Sequence, residues 1–234
     1  MMEPDEADTA TDGAVSKDET GPVITATGLT LRGEHGPLYS DVNLRIGQGF
    51  HVVRLPGGAG QQTLLLTVAG RMRATRGDLT VMGDSRPRAI RGHCAIAAFD
   101  AVDELDEAVT VRTVLSEQRR WLAPFFSRMH DDGFDQLDKV FGDMHPPAPG
   151  TFIVELSDLE LFLLRITLAV MSNRPILVVG DLEQVRDNER RSIAAARLGE
   201  LATGCTVVLG ATNLLGPDAP DHELHDQRVL TGGD

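Results

Sequence analysis

The first strong signal along the chain is strict alternation. Apolar residues recur at every second position over residues 23–32 and again over 38–46, and a glycine-rich stretch separates the two runs. That period puts one side of each segment on a core and predicts an antiparallel hairpin. Residues 50–55 are continuously apolar apart from His51 and Arg54, and lead into a turn with Gly57, Gly58 and Gly60. A helix is predicted over residues 62–68, with Gly70 as its stop. Residues 77–83 and 94–99 read as two further strands. Helical spacing begins at Val109 and reaches Trp121, and the block that follows, up to Pro146 and Pro147, is polar and carries no strand signal. From residue 156 to 171 apolar positions return at helical spacing. Pro175 then introduces the run Ile176, Leu177, Val178, Val179, Gly180, Asp181, which has the character of a parallel strand buried on both faces. A helix over 188–201 and strands over 206–209 and 228–230 complete the pattern. Strands alternate with helices in this half, so the expected architecture is α/β: a parallel sheet, an N-terminal antiparallel portion and an inserted helical portion.

Composition narrows the class. The chain has 234 residues, 41% of them hydrophobic, and no apolar run approaches a membrane span. Residues 1–21 carry Glu3, Asp5, Glu6, Asp8, Asp12, Asp18 and Glu19 against Lys17 and are expected to form a disordered acidic tail. This segment has neither the basic nor the apolar region of a secretory signal, so a cytoplasmic address is expected. Cys94 and Cys205 stand alone, and reduced thiols are expected. The net charge of −13, without a Lys/Arg stripe, argues against a nucleic-acid partner.

The turn after residue 55 carries the candidate chemistry. A phosphate-binding loop of the form G-x-x-x-x-G-K-[S/T] uses glycines to let backbone N–H groups converge on phosphate, a lysine to reach the terminal phosphates and a hydroxyl to hold magnesium. On this chain Leu55 stands at the first glycine, Gly60 at the second, Gln61 at the lysine and Gln62 at the hydroxyl. Gly58, Ala59, Gly60, Gln61, Gln62 and Thr63 are therefore candidate phosphate contacts, because a helix N-terminus still offers unpaired donors and a positive dipole end. The same turn also reads as a plain strand-to-helix connection.

In order and spacing, roughly residues 23–231 resemble the ATP-binding cassette of ABC transporters. The resemblance lies in Asp41-Val42-Asn43-Leu44, Gly58-Ala59-Gly60, Gly77 to Gly83, Val109-Thr110-Val111-Arg112, Leu156-Ser157, and Asn173-Arg174-Pro175 followed by the run to Asp181. It implies a P-loop NTPase (ABC ATPase-like) core, with residues 22–234 as one cassette-like domain and a helical subdomain at about 103–172. It also implies ATP and Mg2+ as cofactors and a homo- or heterodimer with another cassette. A membrane permease in trans would hold the protein peripherally at the inner face of the membrane. In this family ATP sits between two cassettes, the glycine loop of one facing the signature of the other.

Each motif is depleted. Gln61 brings no charge, which removes a contact worth about 1.5–3 kcal/mol. Gln62 is a poor ligand for octahedral magnesium. Asp181 keeps the Walker B carboxylate, but Leu182 stands where the family has its glutamate base, and a leucine accepts no proton. Glu183, one position on, is the remaining candidate base. Asp100 falls near the glutamine-loop position and, with Asp181, is a candidate metal ligand. Thr212 replaces the switch histidine. Leu156 and Ser157 begin a signature that continues as Asp158, Leu159 and Glu160, where a carboxylate would repel a partner's γ-phosphate. Arg32, or Leu31, lies near the adenine-stacking position.

The residues leave alternatives open. Asp181 reads equally as a loop acid capping the next turn. Ser157 with Glu160 three positions on reads as a capping box. Three functions follow: a subunit binding ATP weakly with little hydrolysis, a pseudo-ATPase that keeps the fold as an interaction or regulatory module, and a hydrolase using Glu183 and Asp100 in altered roles.

Overall fold

The computed structural model describes residues 21–34, 36–55, 58–123 and 133–227. Apart from Gly21, the expected acidic tail lies outside them, as do Pro56, Gly57 and the strand expected at residues 228–230.

The alternating segments form the predicted hairpin. β1 (Ile24–Gly33) pairs antiparallel with β2 (Gly36–Ile46), and β4 (Arg76–Val81) adds antiparallel on the other edge of β1. A second sheet has the order β5-β6-β7-β3-β8, built from β3 (Phe50–Arg54), β5 (Cys94–Ala97), β6 (Ile176–Val179), β7 (Thr206–Ala211) and β8 (Glu223–Asp226), all parallel. β8 lies a few residues before the segment expected to be the last strand. The reason is that its sequence, Glu-Leu-His-Asp, carries no apolar run.

Alternation on the parallel strands divides the core. Leu177 and Val179 of β6, with Val207 and Leu209 of β7, point into one cluster, while Ile176, Val178 and Val208 point into the other. The first cluster packs on the helices between β5 and β6, namely α3 (Val111–Leu122), α4 (Phe134–Phe141) and α5 (Asp158–Val170), and on α6 (Asn188–Leu201). The second packs on α1 (Ala59–Val68) and the antiparallel sheet, and includes Ile90 of α2 (Pro87–His93). Each of these fully buried aliphatic side chains contributes about 1.5–3 kcal/mol over an exposed one. Tyr39 Oη donates to Thr67 Oγ1 at 2.8 Å and fastens β2 to α1.

α2 and α4 had no counterpart in the sequence reading. Both are short, with Pro87 opening one and Gly133 and Gly142 bounding the other, and such pieces give few periods to detect. Both cysteines are free, and burial pushes the Cys94 thiol up to about 12. No helix among the described residues is long and apolar enough to cross a membrane.

Candidate functional site: the glycine turn and the acids beside it

The site lies where β3, β6 and β7 end, at the C-terminal edge of the parallel sheet. Helix α1 starts at Ala59, three residues earlier than expected. Gly58 sits at φ 103°, a conformation that disfavours any side chain. A Cβ on Gly60 would lie 2.4 Å from the Leu38 carbonyl oxygen, so this glycine is required by packing on β2. Both glycines thus have structural causes. Even so, the first turn of α1 has no side-chain cap and no acidic residue. Its N–H groups keep the polarity that suits an anion.

The side chains that follow face inward. Gln61 is 1% exposed, and its Nε2 donates to the Gly180 carbonyl at the end of β6 at 3.3 Å. Its Oε1 is buried without a partner. Gln62 Nε2 donates to Asp100 Oδ2 at 2.9 Å. Thr63 Oγ1 donates to the carbonyls of Ala59 and Gly60 within its own helix.

Beyond Gln62 the structure shows a network that the sequence reading did not assemble. The other Asp100 oxygen accepts from Gln184 Nε2 at 3.0 Å, and Gln184 Oε1 accepts from Arg165 at 2.7 Å. Arg165, in the middle of α5 and 8% exposed, also donates to the Phe99 carbonyl and forms an ion pair with Asp103. Asp103 in turn accepts from the backbone of Ala98 and Phe99 at 2.8 Å each. The chain Gln62–Asp100–Gln184–Arg165–Asp103 joins α1 to α5 across the top of β5 and β6. A lone arginine between Leu164 and Ile166 was its one signal in the sequence.

Asp181 and Glu183 form a close pair. Asp181 Oδ1 accepts from Glu183 N at 3.0 Å and caps a short 3-10 turn, Leu182–Gln184. Glu183 Oε1 accepts from Thr212 N and Asn213 N, both at 3.0 Å, and from Asn213 Nδ2. Glu183 Oε2 is buried without a donor. Burial, then the neighbouring Glu183 and Asp100 carboxylates, push Asp181 up to about 7. Burial opposes ionisation of Glu183 as well, but the Asp181 carboxyl and the backbone amides outweigh it and hold Glu183 below its ordinary value. Thr212 acts here through its backbone, its N–H on Glu183 and its carbonyl accepting from Arg54.

At the start of α5, Ser157 Oγ accepts from Glu160 N while Glu160 Oε2 accepts from Ser157 N at 2.8 Å, a reciprocal capping box. Leu156 caps the preceding turn Ile153–Glu155, and Leu159 is buried in the core. Asp158 does not present a free carboxylate. One oxygen accepts from Arg186 N and the other pairs with Arg190 at 2.8 Å, and these contacts, the Arg186 backbone first, lower it. The Asp158 carboxylate is thus paired within the chain.

No protein-family model matches the chain, and no curated protein does so. Solved structures do. MJ1267, described as an ATP-binding cassette of an ABC transporter, superposes with a TM-score of 0.69 at 14% identity, covering 88% of this chain and 90% of that one. The chain has the fold of an ATP-binding cassette. CbiO1 from Clostridium perfringens, described as part of the ABC transporter complex cbiONQ, gives a TM-score of 0.68 at 16% identity over 90% of this chain and 87% of its own. MJ0796, described as a dimeric bacterial ABC transporter cassette, gives 0.67 at 17% identity over 88% and 96%. On this cassette fold the backbone around α1 suits an anion, whereas the side chains do not suit ATP with magnesium. Gln61 is folded into the core, Gln62 and Gln184 each occupy one Asp100 oxygen, and burial with the neighbouring carboxylates raises Asp181 to about 7.

Proposed function

We propose that this chain is a regulatory cassette, a pseudo-ATPase subunit that pairs with a second cassette and, with it, with an ABC permease, without turning over ATP. The single observation that carries this is Gln61, buried and bonded to Gly180 at the position where phosphate chemistry requires an outward-reaching cation. The assembly part of the reading draws on CbiO1, described as part of a transporter complex, and on MJ0796, described as dimeric. The loss of chemistry draws on three further points. Leu182 has no basic atom, Glu183 holds three donors on one oxygen and is a weakened base, and Asp100 is tied with Asp103 into a network that fixes α5 against α1.

A second reading, weak nucleotide binding without hydrolysis, has one observation in its favour: the uncapped N-terminus of α1. Calorimetric titration with ATP and Mg2+, alongside phosphate release, separates the two. The regulatory reading expects no binding heat at millimolar ATP and no phosphate release. Saturable binding without turnover moves the assignment to the second reading. Turnover by the parent chain that disappears in Glu183→Gln overturns both.

A further inference from the structure

At the opposite end of β3 the fold assembles a different set of ligands. In the parallel β3–β8 pairing His51 lies opposite Glu223, and His225 follows two residues later on the same face of β8. His51 Nδ1 and His225 Nε2 are 3.2 Å apart. One Glu223 oxygen lies 3.5 Å from His51 Nδ1 and the other 3.9 Å from His225 Nε2. Among the described residues, this is the one group of three or more His, Cys, Asp or Glu side chains whose ligand atoms all fall within 4.8 Å of one another.

We infer that His51, Glu223 and His225 form a binding site for a divalent transition-metal ion of the zinc class. A tetrahedral zinc with bonds of about 2.0–2.1 Å spaces its ligand atoms about 3.3 Å apart, close to the separations found here. The first ligand is already oriented. His51 Nε2 lies 3.3 Å from the Gln48 carbonyl, an acceptor that suits the tautomer with the hydrogen on Nε2, and in that tautomer the Nδ1 lone pair faces His225 and Glu223. Support of this kind, from the far nitrogen to a carbonyl, is what holds metal-ligating histidines in place. Two imidazole nitrogens brought this close need a proton or a cation between them. The set of two nitrogens and one carboxylate suits zinc, cobalt or nickel, whereas magnesium prefers oxygen alone. His51 is 3% exposed and the Glu223 side chain 61%, so the group is buried on the His51 side and open to solvent at the carboxylate. That opening admits the ion and leaves its fourth position to water. A bound ion would clip β8, the edge strand, to β3. The site is independent of any nucleotide chemistry.

The test uses the full chain without a polyhistidine tag, stripped with EDTA and titrated with Zn2+ by calorimetry and with Co2+ by visible absorption. One ion per chain, a tetrahedral Co2+ spectrum and a melting temperature raised by about 5 °C at saturation are expected. Glu223→Gln, at an exposed position, should fold normally and weaken binding at least about 10-fold. His225→Gln should abolish the Co2+ spectrum, while Asp181→Asn should leave it intact. Absence of binding by the parent chain reduces the cluster to a histidine–histidine hydrogen bond and overturns the inference. Undiminished binding by Glu223→Gln and His225→Gln, each folded by circular dichroism, overturns it equally.

Discussion

The two ends of β3 differ in how their chemistry comes about. At its C-terminal end the chain enters a glycine turn whose sequence advertises phosphate binding, yet Gln61 and Gln62 turn to Gly180 and Asp100 and close the polar groups on one another. At the N-terminal end no motif is present, yet His51 meets Glu223 and His225, about 170 residues away, because β8 pairs beside β3. A sequence motif therefore reports the path of the backbone, and the availability of its side chains depends on what packs against them. The same strand serves both, since its buried residues fix where each end lies.

Breaking one end should leave the other intact. Arg165→Ala, which removes the buried cation of the polar network, is expected to cost about 3 kcal/mol in urea denaturation, because Asp103 and Gln184 lose their shared partner. Affinity for Zn2+ should not change. A loss below about 1 kcal/mol would show that the network carries little of the fold, and a parallel loss of metal would show the two ends to be coupled. Gln61→Leu is a smaller change. It removes a buried, unpartnered oxygen but also the 3.3 Å donor of the Gly180 carbonyl, two opposing terms of similar size, so stability should change by less than about 1 kcal/mol. A larger loss would mean that the glutamine is held by more than Gly180.

A third effect lies in pH dependence, where the two ends act in opposite directions. Asp181 is raised from 3.8 to about 7, so the folded protein keeps a proton that the unfolded chain releases, and the stability it contributes falls as pH rises through that window. Burial lowers both His51 and His225, whose contribution is therefore lost as pH falls below their ordinary value of 6.5. The difference between parent and Asp181→Asn cancels the histidine part. Urea midpoints measured from pH 5 to 7 should drop less with rising pH in the variant than in the parent. Equal slopes would assign the proton elsewhere.

Much of the fold was legible. Alternation over residues 23–46 located β1 and β2, and the helix expected over residues 188–201 was found as Asn188–Leu201. Apolar runs located β6 and β7, because strands buried on both faces have no choice of residue type. β8 escaped, since an edge strand such as Glu223–Asp226 keeps its place by backbone pairing and needs no apolar side chains. The candidate site was legible only as positions. Gln61, Gln62, Asp100, Asp181, Glu183 and Thr212 do gather at one edge of the sheet, but the sequence did not show that Asp100 binds Gln62 or that Thr212 meets Glu183 through its backbone.

By itself the sequence determined the α/β class, the antiparallel start, the glycine turn and the absence of its lysine, because these follow from periodicity and from residue identity at one place. Tertiary structure alone decided that Gln61 is core, that Arg165 ties α5 to the acids and that His51 acquires two ligands from β8. Each of those depends on which distant segment lies within about 3 Å of a polar atom, and local pattern carries no such distance.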